Sequence, residues 1–331
     1  MINYSDAIIS YGNNYRLKKA ISSSKNGKRV TIGFIGASVT AEPFDPSLFT
    51  RNYVSMFCED FNKKYGPVKC INAGLCGSSS IIGLYRIQKE IISFEPDIVF
   101  IDFGINDYAN PDLMECYEGL LRKLLNCSGQ PAVIPIYMSL QSFVNSQAQK
   151  IPYGKHYDLT MISIRDILKK NIDSGIFKWS DYSTDYGHPH NNGQRFITDC
   201  INYCFENVDH APSDQGYTVP IPLKTSVYEN INVTSGIDVT ITENDVFEKE
   251  LVCCRFILFY YLNNQLKYGA AEILIDGKTL CTLQSYNSTA WGNLESAIIF
   301  KSEKPQKHKF TIKMLACDKN KIFAIDGFGY C

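Results

Sequence analysis

Two textures of hydrophobic and polar patterning divide the chain. From residue 29 to about 209, short apolar runs alternate with amphipathic stretches, the pattern of a parallel sheet covered by helices. Runs at 30–35, 68–71, 98–103 and 132–137 predict strands. Between them, 81–94 and 113–125 carry apolar residues at helical intervals, and Glu95-Pro96 ends the first helix before the next strand begins. A helix is predicted at 162–172. The clearest stripe lies in 191–205, where Phe196, Ile197, Cys200, Ile201, Cys204 and Phe205 share one face.

The segment 210–222, with three prolines and a glycine, reads as a linker. Beyond it the texture changes to short runs rich in Val, Ile, Thr, Phe and Tyr, separated by turn signals such as Asp276-Gly277 and Asp326-Gly327. Strands are predicted at 237–241, 254–261, 271–275, 279–283, 297–300, 310–314 and 322–325, enough for a compact β-sandwich. The predicted organisation is an α/β domain at 1–209, the linker at 210–222 and a smaller all-β domain at 223–331.

A length of 331 residues allows two cores, and 45% hydrophobic with 20% charged residues is ordinary globular composition. A net charge of -1 provides no general field for nucleic acid or an anionic membrane, so neither is an expected partner. Residues 1–29 show no sustained apolar core of a signal peptide, and the longest apolar stretch, 256–262, is too short to span a bilayer. The expectation is a soluble, cytoplasmic protein whose twelve cysteines are free thiols used mostly in packing.

In an open parallel sheet, ligands bind where the carboxyl ends of the strands leave backbone groups free. Three predicted strands end in small or polar residues: Gly36-Ala37-Ser38-Val39-Thr40, Asn72-Ala73-Gly74-Leu75-Cys76-Gly77 and Gly104-Ile105-Asn106-Asp107. A fourth cluster, Asp185-Tyr186-Gly187-His188-Pro189, precedes the last helix of this domain. Singly, these read as caps and turns: Ser38 as a helix cap, Gly74 and Gly77 as turn residues. Together they supply a reaction. A serine hydroxyl needs a base, which His188 can be; the imidazole needs an acid to fix its tautomer, for which Asp185 is placed. Attack on an acyl carbon needs donors for the developing oxyanion, and the Ser38 and Gly77 N–H groups and the Asn106 side chain are candidates.

These four blocks, in this order across residues 29–206, resemble the SGNH (GDSL-like) hydrolase superfamily. Its serine block reads Ile35-Gly36-Ala37-Ser38-Val39-Thr40, with Ala37 where the family usually has an acidic residue or glycine; its last block has the Asp-x-x-His-Pro form at residues 185–189. The resemblance implies a flavodoxin-like three-layer α/β/α domain followed by a jelly-roll-like β-sandwich. It assigns Ser38 as nucleophile, His188 as base, Asp185 as its orienting acid, and Ser38, Gly77 and Asn106 as the oxyanion hole. The lead-in at 27–40, the segment 79–86 and the appended β-domain look most like bacterial carbohydrate esterases that remove acetyl groups from glycans. Such an enzyme needs no metal or organic cofactor and acts on an acetylated oligosaccharide or another small ester.

The same constellation would serve an O-acyltransferase or an acylhydrolase of lipids or thioesters, and a non-catalytic glycan-binding protein is a reading from another class. A homo-oligomer is compatible with all of them. His190 and Asp185 could imitate a metal site, but no third ligand has suitable spacing. His156 reads as a structural or rim residue, Asp102 as a hydrogen-bonded group inside an apolar strand, and Gly193-Gln194-Arg195 as the start of a helix. Aromatic residues make up 13%, mostly at core spacing; Trp179 and Trp291 are the candidates for lining a binding surface.

Overall fold

The computed structural model describes residues 2–42, 49–107 and 110–331. The chain forms two compact units, Met1–Glu229 and Asn230–Cys331. In the first, β1 (Ile8–Ser10) and α1 (Tyr15–Lys25) precede the repeating units: β2 (Val30–Gly36), α2 (Tyr53–Lys64), β3 (Val68–Gly74), α3 (Ser80–Glu90), β4 (Ile98–Asp102), α4 (Pro111–Asn126) and β5 (Ala132–Tyr137). Then come α5 (Gln147–His156), β6 (Met161–Ser163), α6 (Ile164–Asp173), the single turn α7 (Trp179–Tyr182) and α8 (Asn191–His210).

The sheet order is β1-β6-β5-β4-β2-β3. Strands β2 to β6 pair in parallel, and β1 closes the β6 edge antiparallel, a strand too short to leave a periodic signal in the sequence. The predicted helix at 162–172 is corrected at its start: Ile162 and Ser163 belong to β6, and Ser163 caps α6 by accepting the Asp166 N–H at 3.0 Å. Helix α4 starts where Asn110 accepts the Asp112 N–H at 2.9 Å and Pro111 occupies the first helical position. On one face of the sheet, Phe34 and Phe100 stack with centroids 4.7 Å apart and meet Phe57 of α2 and Phe205 of α8. This aromatic layer lies at the heart of the core and fixes α2 and α8 beside each other over β2 and β4.

The segment predicted as a linker, 210–222, is bonded to this first unit, Asn14 donating to the Pro212 carbonyl at 2.9 Å and Arg122 to the Pro220 carbonyl at 2.8 Å, and residues 223–229, predicted as part of the β-domain, continue this strap. Buried Glu118 of α4 accepts the N–H groups of Leu223 (2.5 Å), Lys224 (3.0 Å) and Thr225 (2.9 Å), and Arg122 pairs with Glu229 at 2.7 Å. A carboxylate removed from water requires such donors, and the strap supplies three.

The second unit is one antiparallel ladder of β7 (Asn232–Ile241), β8 (Val246–Asn263), β9 (Ala270–Ile275), β10 (Lys278–Gln284), β11 (Trp291–Met314) and β12 (Phe323–Tyr330), in the order β10-β9-β11-β8-β12-β7. The two strands predicted at 297–300 and 310–314 are a single strand, β11, whose pairing with β8 slips between Lys301 and Gln306. At such irregularities a long hairpin can bend, and residues from its two halves meet in one core. Phe256 stacks on Phe310 at 4.1 Å, and Phe247 reaches Phe328 at 6.1 Å. All twelve cysteines are free thiols, and Cys200 and Cys204 are buried on the apolar stripe of α8.

Candidate active site

The connection after β2 is tight. A Cβ on Gly36 would lie 2.5 Å from Thr40 Oγ1 and 2.9 Å from Asp102 Cβ, so only glycine admits this approach. The chain then reverses: Thr40 and Ala41 donate their N–H groups to the Ala37 carbonyl at 3.2 and 3.0 Å. Ser38 sits at the apex, half-buried, between buried Ala37 and Val39. Neighbouring elements brace this turn. Asn52, capping α2, and Asn72 of β3 donate to the Thr40 carbonyl at 3.4 and 2.9 Å. Thr40 Oγ1 donates to Asp102 at 3.0 Å and lies 2.8 Å from the Tyr53 hydroxyl. Asp102 is 2% exposed, and burial raises its carboxyl to about 7 despite the Thr40 hydrogen bond.

The loop before α8 closes on itself. Ser183 pairs with Pro189 as an antiparallel bridge, and the His190 N–H donates to the Tyr182 carbonyl at 3.0 Å. Ser183 Oγ donates to Asp185 Oδ1 (3.0 Å) and to the His188 carbonyl (2.7 Å), while the Trp179 indole N–H donates to the Asp185 carbonyl at 2.7 Å. Asp185 Oδ1 also accepts the N–H groups of Gly187 and His188, at 2.7 and 2.6 Å. Its other oxygen, Oδ2, lies 2.8 Å from His188 Nδ1. Burial pushes the Asp185 carboxyl up, but the two backbone donors and the His188 ring outweigh it and hold it below the usual carboxylate range. His188 Nε2 is 3.1 Å from Ser38 Oγ. Residues 150 positions apart in the sequence thus form one hydrogen-bonded line from hydroxyl to imidazole to carboxylate. With the carboxylate accepting from Nδ1–H, Nε2 is left as the acceptor facing the serine.

Gly74 and Gly77 occupy different roles. The Gly74 N–H donates to Asn72 Oδ1 at 2.9 Å, and a Cβ there would meet the Ala41 nitrogen at 2.3 Å. Gly77 is exposed with φ +75°, a left-handed conformation that favours glycine. Among the described residues, the Ser38 and Gly77 N–H groups and the Asn106 side chain have no hydrogen-bond partner.

The loops bearing Gly77 and Asn106 share one anchor that sequence reasoning missed. Asp107 accepts the Ser80 N–H at 2.8 Å through one oxygen and pairs with Lys150 at 2.8 Å through the other. Lys150 Nζ also donates to Ser146 Oγ at 2.9 Å, and the Ser146 hydroxyl and N–H both donate to the Gly104 carbonyl. Both charged side chains are essentially inaccessible. Lys150 left no motif, since a lysine in a polar helical stretch reads as a solvated face.

The other flagged residues sort by their contacts. His190 caps α8, its Nδ1 accepting the Asn192 N–H at 3.2 Å. Gln194 is fully buried and ties α2 to the histidine loop, accepting the Tyr53 N–H and donating to the Pro189 carbonyl. His156 bonds to the Ile221 carbonyl at 2.8 Å, on the strap. The Trp179 ring packs against Phe143 and Tyr182, and with its N–H spent on the Asp185 carbonyl it is a support for that loop. Trp291 is exposed in the second unit.

The chain matches no protein-family model and no curated protein. Among solved structures it is similar to a two-domain esterase active on acetylated mannans, with a TM-score of 0.88 and 25% identity over 100% of this chain and 98% of that one. The same kind of esterase, co-crystallised with mannopentaose, superposes with a TM-score of 0.86 at 24% identity and the same coverage. The chain has the two-domain fold of that esterase. The Ser38 turn and the His188 loop of the first unit lie at the carboxyl edge of the sheet, where the sequence directed attention. No helix among the described residues is long and apolar enough to cross a membrane.

Proposed function

We propose that the chain is a serine esterase that hydrolyses O-acetyl esters on carbohydrates. The observation that carries this reading is the line from Ser38 Oγ through His188 to Asp185, with contacts of 3.1 and 2.8 Å. The similarity to an esterase active on acetylated mannans supports the substrate class.

Ser38 Oγ attacks the ester carbonyl carbon while His188 Nε2 takes its proton. Asp185, held ionised by its backbone donors, stabilises the imidazolium without taking a proton itself. The developing oxyanion is received by the Ser38 and Gly77 N–H groups and the Asn106 amide, whose unengaged donors suit this use. The engaged N–H of Gly74 favours Gly77 for that role. The carbon–oxygen bond to the sugar then breaks, the leaving alkoxide takes the proton from His188, and an acetyl group remains on Ser38. A water molecule, giving a proton to Nε2, attacks the acetyl carbon; acetate departs and the proton returns to Oγ.

The test is acetate release from acetylated manno-oligosaccharides by the wild type and by Ser38→Ala. Release that falls to the background rate in the variant supports the reading. Equal release by both proteins would remove Ser38 from the mechanism, and a wild type inert toward sugar acetates would overturn the substrate class.

A further inference from the structure

Resting on that reading, the geometry points to Tyr186 as a stacking platform for the acetylated pyranose ring, and so as a specificity-determining residue of the esterase. Within the first unit, the exposed aromatic rings among the described residues are Tyr11, Phe94 and Tyr186. Phe94 precedes β4, and Tyr11 receives the Thr160 hydroxyl just before β6, so both lie at the amino ends of parallel strands, away from the Ser38 turn. Phe94 is moreover covered by the Lys69 ammonium at 4.6 Å. Tyr186 alone of the three stands at the carboxyl edge, one residue from Asp185 and two from His188. It is 56% exposed, although a large apolar ring gains by leaving water.

The ring is exposed yet anchored. Its hydroxyl lies 2.9 Å from Ser142 Oγ, and its backbone carbonyl accepts the Gln141 N–H at 2.9 Å. Both partners belong to the connection after β5, so two loops hold the side chain at the rim of the site. A tyrosine fixed at both ends loses little rotamer freedom when a ligand lands on it.

The shape of this rim matches a sugar. A pyranose has a face of C–H bonds and a periphery of hydroxyls; Tyr186 offers a flat apolar face bordered by two hydroxyl groups, its own and that of Ser142. Val144, whose N–H donates to Ser142 Oγ at 3.3 Å, is also exposed. An ester without a ring finds no such partner. The platform therefore distinguishes sugar acetates from simple acetates, a distinction the hydroxyl–imidazole–carboxylate line cannot make because it touches only the atoms of the ester linkage, which both kinds of substrate share.

The test measures kcat/KM for acetate release from an acetylated manno-oligosaccharide and from ethyl acetate, and takes their ratio. Tyr186→Ala lowers this ratio about tenfold, the scale of one lost aromatic face. Tyr186→Phe, which keeps the ring, stays within about twofold of the wild type, and its fold is checked alongside by circular dichroism. An unchanged ratio in Tyr186→Ala overturns the platform while leaving the esterase reading intact. A wild type that hydrolyses ethyl acetate but no sugar acetate overturns both.

Discussion

Asp102→Asn isolates the energetic cost of the carboxyl beneath the nucleophile turn. Asp102 is 2% exposed, and burial raises its folded-state pKa to about 7 from an ordinary 3.8. Between those values the folded state binds a proton that the unfolded chain has already lost. Stability contributed by the protonated acid is thus fully present below about pH 4 and is lost as pH rises toward 7, at about 1.4 kcal/mol per pH unit. Between pH 5 and pH 8 the wild type should lose roughly 2.5 kcal/mol through this group. Asparagine imitates the protonated acid in shape and keeps an oxygen for the Thr40 hydroxyl, but does not titrate. Urea unfolding of both proteins at pH 5 and pH 8 gives the difference in which all other titrating groups cancel. The account expects Asp102→Asn to gain on the wild type by about 2 to 3 kcal/mol over that interval. A difference independent of pH would refute the buried-acid argument, and a widening in favour of the wild type would reverse its sign.

Three further outcomes follow from the network. Lys150→Met strands the inaccessible Asp107 carboxylate and should cost about 3 to 5 kcal/mol in chemical unfolding, with much of the loss recovered when Asp107→Leu is added. Asp185→Asn removes the acceptor that sets the His188 tautomer, so kcat should fall about 10⁴-fold in a steady-state esterase assay; retention of most activity would show that the loop backbone alone orients the ring. Gly77→Ala forces a side chain into a left-handed backbone and displaces a proposed oxyanion donor, so kcat should drop about a hundredfold, whereas a change confined to KM would assign Gly77 to substrate binding.

What the sequence made legible was local in origin. The runs at 30–35 and 132–137 are buried on both faces, so they appear as continuous apolar strands, and the residues that follow strands in short connections could be read from position alone. The fully apolar face of α8 was equally plain. Less legible were features that depend on distant partners. β1 is three residues long and exists because β6 offers an edge. β11 looked like two strands because its pattern is interrupted where the pairing with β8 slips. Glu118 and Lys150 resemble surface charges until the strap and Asp107 reach them. The line of Ser38, His188 and Asp185 was proposed from residue chemistry, while Ser183 and Gln194, which hold the histidine loop, carry no such signature. Trp179 was read from its place before the Asp185 loop as a candidate for lining a binding surface, and its indole N–H braces that loop, whereas Tyr186, in the same motif as Asp185 and His188, was passed over because only exposure distinguishes it.

The most direct test of the central claim is covalent capture of the nucleophile. The wild type is treated with an ethyl fluorophosphonate and the adduct located by peptide mass spectrometry. The account predicts a single phosphonyl group on Ser38, with labelling suppressed by His188→Ala because the hydroxyl then lacks its base. Labelling at another serine, or labelling of Ser38 undiminished in the His188→Ala protein, would contradict it.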